Sequence, residues 1–134
     1  MTIDDILQKP HWVIDILPKQ VPENTGGQFF TIEKFFTEDD RMVEIKKKHI
    51  NLILKLNCYM AISIDDKTNP APAKVAREMR RRYVWIRIGD SMIISEPDDA
   101  HMTIFNPDAE LLEMVKMIAS GEGLYVWQPE LPGL

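Results

Sequence analysis

A single cysteine, Cys58, stands in a chain of 134 residues, so no internal disulfide can form. That usage fits a reducing interior. Long hydrophobic runs are also missing. The most apolar stretch, Ile50 to Leu56, is interrupted by Asn51 and Lys55 and is far too short to span a bilayer. The opening Met1-Thr2-Ile3-Asp4-Asp5-Ile6 is acidic where a secretory leader is basic and then apolar. A cytoplasmic protein with no membrane contact is therefore expected. Only three histidines occur, at 11, 49 and 101, and none pairs with another at helical ligand spacing. A catalytic metal needs about three converging ligands, so no metal site is expected. Gly26-Gly27 and Gly121-Glu122-Gly123 are the only glycine-rich points. Neither ends in Gly-Lys-Ser/Thr nor carries the three-glycine dinucleotide pattern, and no Gly-x-Ser-x-Gly elbow appears. No cofactor is expected, and turn or helix-end duty accounts for both glycine pairs.

What is present is the composition of an ordinary globular domain, 45% hydrophobic and 28% charged. Its length predicts a single domain over residues 1–134. The net charge of −5 hides a segregation along the chain. Residues 1–40 carry a net −5, residues 41–88 a net +8 and residues 89–134 a net −8. Such blocks make either a molecule with opposed charged faces or, if the elements interleave, a mixed surface.

The chain also repeats a pattern. Met60-Ala61-Ile62-Ser63-Ile64 leads to Asn69-Pro70, a helical stretch and Tyr83-Val84-Trp85. Met102-Thr103-Ile104-Phe105 leads to Asn106-Pro107, a helical stretch and Tyr125-Val126-Trp127. Both passes read as strand–helix–strand, two candidate βαβ units. Between them, Val84 to Ile88, Ser91 to Ser95 and Met102 to Phe105 form a meander, with Gly89-Asp90 as a two-residue turn. His11 to Leu17 alternates as a strand and Pro18 stops it, before a polar loop from Pro18 to Gly27. Phe29 to Phe36 fits either period; a strand at its start, paired with the first, is expected. Thr37 is placed to cap a helix whose stripe is Met42, Ile45, His49, Leu52 and Leu56. Residues 50–57 also alternate, but the continuous stripe favours helix. Asn106 is expected to cap the last helix, with Leu111, Met114, Val115 and Ile118 inward and Gly121 ending it. The fold class is α+β: a mixed sheet with an antiparallel meander and about three helices packed on it.

The chemistry is thin. Asp98, Asp99 and His101 share a turn and form the least implausible polar group for metal or acid–base work; a solvated turn explains them equally. His49 on its apolar stripe reads as a hydrogen-bonded core residue, and Cys58 as a buried small hydrophobe. Lys46-Lys47-Lys48 spreads around a helix. Arg80-Arg81-Arg82 complements a helix C-terminus; with Tyr83, Trp85 and Arg87 it outlines a nucleic-acid surface that the acidic pI of 5.2 makes unlikely.

The strings His11-Trp12-Val13-Ile14-Asp15-Ile16-Leu17-Pro18, Met102 to Pro107 and Gly123 to Pro129 resemble a small, uncharacterised bacterial protein family. The resemblance covers nearly the whole chain and implies a bacterial, intracellular domain. It brings no activity, cofactor or catalytic residue with it. Eight methionines, three tryptophans and the pairs Phe29-Phe30 and Phe35-Phe36 exceed what a small core obviously needs. With the charge blocks, they predict a non-catalytic domain acting through protein contacts, including a homodimer. The alternative is a small-molecule-binding protein or small enzyme with its pocket between the sheet and a helix.

Overall fold

The computed structural model describes residues 1–23 and 27–130. Among the described residues, five helices accompany a seven-stranded sheet, an α+β fold. The two helices beyond the expected three lie near the N-terminus. Helix α1 (Ile3–Leu7) is held by a capping box: Thr2 Oγ1 accepts the Asp5 N–H at 3.2 Å, and the Asp5 carboxylate accepts the Thr2 N–H at 3.0 Å. Helix α2 (Gln28–Phe36) replaces the strand expected there. The reason is topological. The first strand already has a neighbour on each side, so it offers no free edge for residues 28–36 to join. Part of the expected Pro18–Gly27 loop, residues 24–26, lies outside the described residues, as does the end of the tail, 131–134.

Helix α3 (Asp39–Asn57) buries the whole stripe of Met42, Ile45, His49, Leu52 and Leu56, so residues 50–57 are helical. Thr37 does not cap it. Glu38 takes that position, and the Thr37 hydroxyl donates back to the Glu33 carbonyl at 3.0 Å, closing α2. Helix α4 (Pro72–Arg81) turns Val75 and Met79 inward, and α5 (Ala109–Gly121) does the same with Leu111, Val115 and Ala119. The cap of α5 is Asp108, which accepts the Leu111 N–H at 2.8 Å, and not Asn106. Among the described residues, no helix is long and apolar enough to cross a membrane.

The strands are β1 (His11–Asp15), β2 (Ser63–Ile64), β3 (Lys67–Thr68), β4 (Val84–Ile88), β5 (Ser91–Ser95), β6 (Met102–Phe105) and β7 (Tyr125–Trp127). Their order is β3-β2-β4-β5-β6-β1-β7, and every neighbouring pair is antiparallel. The sheet is therefore not mixed. The β4-β5-β6 meander forms as expected, with Gly89 at φ 58° in the two-residue turn. Neither strand–helix–strand unit is a simple βαβ crossover. Asp65, at φ 55°, reverses the chain into β3 before α4 begins, so β2 lies antiparallel against β4. The strands flanking α4 (β3 and β4) do run the same way, but β2 is inserted between them. Likewise β6 and β7 flank α5 with β1 inserted. Both repeats are split crossovers. Asn69 and Asn106 occupy the same place in each, at φ 49° and 57°, a left-handed conformation that asparagine tolerates. Their N–H groups donate to Ile62 O at 2.7 Å and Pro10 O at 2.9 Å, the carbonyls just ahead of the inserted strands.

Helices α3, α4 and α5 cover one face, where Ile64, Ile86, Ile93 and Ile104 stand in register and are buried. On the opposite face the register aligns Trp85, Ile94, Thr103, Val13 and Trp127, all half-buried. Helix α1 reaches one corner of that face, where the Met1 carbonyl accepts from Arg87 at 3.4 Å. The other cover is α2.

Candidate functional site

Helix α2 is fastened at its C-terminal end and open along its length. At its C-terminus Arg41 donates to the Phe35 carbonyl at 3.1 Å and to Glu38 at 2.7 Å, with its guanidinium 3.5 Å above the Phe35 ring. Phe36 and Ile16 pack on a small second core of Met42, Ile45 and Ala100. The segment leading from β1 toward α2 is tied to the C-terminal strand: Trp127 Nε1 donates to the Leu17 carbonyl at 3.1 Å, and the Glu130 N–H to Gln20 Oε1 at 2.8 Å. Yet α2 buries none of its own residues, and Phe30 is 71% exposed.

Between α2 and the sheet lies a cleft of about 380 Å³. Val13, Ile16, Phe29, Phe30, Phe36 and Trp127 supply its apolar wall, and Asp15, Glu23, Glu33 and His101 its ionisable groups. A larger groove of about 650 Å³ beside Tyr59, Gly89 and Asn106 is lined in good part by turns and by Asp90, Asp108 and Glu110. The first is the better candidate because aromatic and aliphatic walls there converge on few polar groups.

Asp15 is the carboxylate set deepest in this wall. It closes β1 on the face opposite Ile14, between Val13 and Leu17, so its neighbours on both sides are apolar. Burial pushes its pKa above the ordinary carboxylate value, against the Ile16 N–H that Oδ1 accepts at 2.8 Å and the nearby His101. The register explains the neighbour. Ile14 pairs with Met102, and Ser95 with Met102, so one further step sets exposed His101 between Asp15 and Glu96. The Asp99 carboxylate beside Glu96 raises its pKa.

The expected polar group is thus regrouped. His101 lines the cleft, whereas Asp98 and Asp99 do not. Among the described residues, no group of three or more His, Cys, Asp or Glu is arranged to hold a metal. His49 is fully buried as expected, but neither ring nitrogen has a hydrogen-bond partner. Burial, then the charge of Lys46, lowers its pKa to about 3, partly opposed by the Ala100 backbone. Cys58 is exposed and not a core residue: it follows the last turn of α3, and its Sγ points back to the Leu54 carbonyl at 3.6 Å. Of the arginine run, Arg82 is engaged by Glu78 at 2.6 Å and Asp65 at 2.7 Å.

Sequence reasoning missed Asp15 and Lys46. A lone carboxylate inside Trp-Val-Ile-Asp-Ile-Leu, with apolar residues on both faces, was the available signal for Asp15. Lys46 is buried, its ammonium donating to Ser95 Oγ at 3.1 Å and the Glu96 carbonyl at 2.7 Å. Burial lowers its pKa to about 8, against the charges of Asp99, Asp98 and Glu96. No protein-family profile, curated protein or solved structure matches this chain. The site is therefore read from its own chemistry.

Proposed function

We propose that this protein is a non-catalytic binding domain that takes a small, largely apolar ligand into the cleft between α2 and the sheet. The observation that carries this reading is the cleft itself: about 380 Å³, within the range of small-molecule sites, walled by aromatic rings and open along a helix with no buried residue. The described lining residues include no serine, threonine, cysteine, lysine or tyrosine that Asp15 or His101 could activate. Saturable binding of the neutral dye Nile red, lost when Val13→Lys places a cation in the wall, is the expected result. Partitioning without saturation, or binding indifferent to that substitution, overturns the reading.

Self-association is the second reading. It is supported by Phe30, Ile32 and Phe35, three exposed apolar side chains on one short helix. In that case the partner is a second copy, and Phe30→Ser with Phe35→Ser leaves a monomer by light scattering.

A further inference from the structure

We infer that the ligand of this cleft is a hydrophobic amine, a small apolar molecule carrying one cationic nitrogen, held with that nitrogen against Asp15. The inference rests on the binding reading above and adds its chemistry. The cleft carries three carboxylates, Asp15, Glu23 and Glu33, and neither lysine nor arginine among its described lining residues. This imbalance is local. The basic residues concentrate on 41–88, and Arg41 is already committed to Glu38 and the Phe35 ring.

Asp15 is partly buried, and it takes part in none of the ion pairs seen among the described residues. Exposed His101 is the basic side chain beside it. A neutral ligand filling the cleft would strip more water from that carboxylate and return nothing. An anion would add repulsion from all three. An ammonium group instead supplies the missing counter-charge where burial has lowered screening. The rings of Phe29, Phe30 and Trp127 suit the same ligand, since their faces attract a cation and their bodies cover its hydrocarbon.

Three probes of one shape separate this inference from the reading it rests on: 4-phenylbutylamine, 4-phenylbutanol and 4-phenylbutyrate, titrated calorimetrically into the full chain at pH 7. The amine is expected to bind at least about tenfold tighter than the alcohol, equivalent to about 1.4 kcal/mol, with the butyrate weakest. Asp15→Asn keeps an acceptor for the Ile16 N–H and is expected to erase the amine's advantage while leaving the alcohol's affinity in place. Glu33→Gln, at the solvent-accessible rim of the cleft on α2, serves if Asp15→Asn does not fold, with a smaller loss in the same direction. Equal binding of amine and alcohol, or an amine preference untouched in the variant that folds, overturns the amine inference while the cleft remains a binding site. Failure of all three probes to saturate overturns both.

Discussion

His49 enters the core on the buried stripe of α3 with no partner for either nitrogen, and its folded pKa of about 3 lies below the ordinary 6.5. Between those values the unfolded chain binds a proton that the folded one refuses, so stability falls as pH drops from 6.5 toward 3. His49→Leu removes the titration and the unsatisfied nitrogens, each worth about 1–3 kcal/mol. The variant is expected to match or exceed the parent at pH 7 and to outlast it clearly at pH 4.5 in urea denaturation. Lys46 works in the opposite pH range. Its folded pKa of about 8 lies below 10.5, so the folded state is penalised for the charge below pH 8, and that penalty fades as pH rises to 10.5. Lys46→Met loses the bonds to Ser95 and Glu96 but cannot titrate. The parent's melting temperature should therefore improve relative to the variant between pH 8 and 10; a constant difference would contradict the burial of the ammonium. Asp15 has a raised pKa, so at neutral pH the fold carries an ionised carboxylate in a poor setting. Asp15→Asn is expected to raise the melting temperature of the ligand-free protein while weakening amine binding, the trade-off of a residue kept for its ligand.

Helix α2 carries the next expectation, because its C-terminal end is held and its middle is not. Phe36 packs on Met42, Ile45 and Ala100, whereas Phe30 is mostly in water. Phe36→Ala should cost about 3 kcal/mol or somewhat less, as half-burial dictates, and Phe30→Ala within about 0.5 kcal/mol; similar losses would mean that the cleft closes over Phe30. Amides of α2 should exchange with deuterium faster than those of α3 and slow when the cleft is filled. The same helix shows where sequence reading stopped. The α3 stripe was legible because burial imposes its spacing, and the β4-β5-β6 meander because Gly89-Asp90 fits only a tight turn. In α2 burial imposes no spacing at all, so Phe30 and Ile32 mimic a strand. The split crossovers were hidden for another reason: Asp65 turns the chain within a polar stretch that looks like an exit loop, and β1 slips between β6 and β7 from the far end of the sequence. Asp15 was visible as a letter, but its setting depended on α2 and on His101, two elements that only the fold brings to it.

At the scale of the whole molecule, the sheet order puts the charge blocks on different halves, which meet along α3. Residues 41–88 build α3, α4 and the β3-β2-β4 half, while residues 89–134 build α5 and the strands β5, β6 and β7. Lys74, Arg77, Arg80 and Arg81 lie on α4 at one end, and Glu110 and Glu113 are exposed on α5 at the other, with α3 between. The acidic segment 1–40 adds β1 to the acidic half. The blocks meet at α3, where Lys55 pairs with Glu122 at 2.7 Å and Lys46 faces Asp98 and Asp99, but the outer ends at α4 and α5 keep opposite signs. Two copies arranged about a two-fold axis can set each basic half against the partner's acidic half, and such an arrangement closes as a dimer. Head-to-tail stacking uses the same attraction and does not close. Either way the attraction acts between exposed charges, so it is screened over roughly 8 Å at physiological ionic strength. Sedimentation velocity should show association at 20 mM salt that disappears by 500 mM. Arg77→Glu with Arg80→Glu should abolish it at 20 mM without disturbing the fold, since neither arginine takes part in the ion pairs that anchor Arg82. A two-fold dimer then appears as one heavier boundary that saturates with concentration, and stacking as a boundary that keeps moving faster. Association that survives 500 mM salt would shift the contact from the charged halves to the exposed phenylalanines of α2.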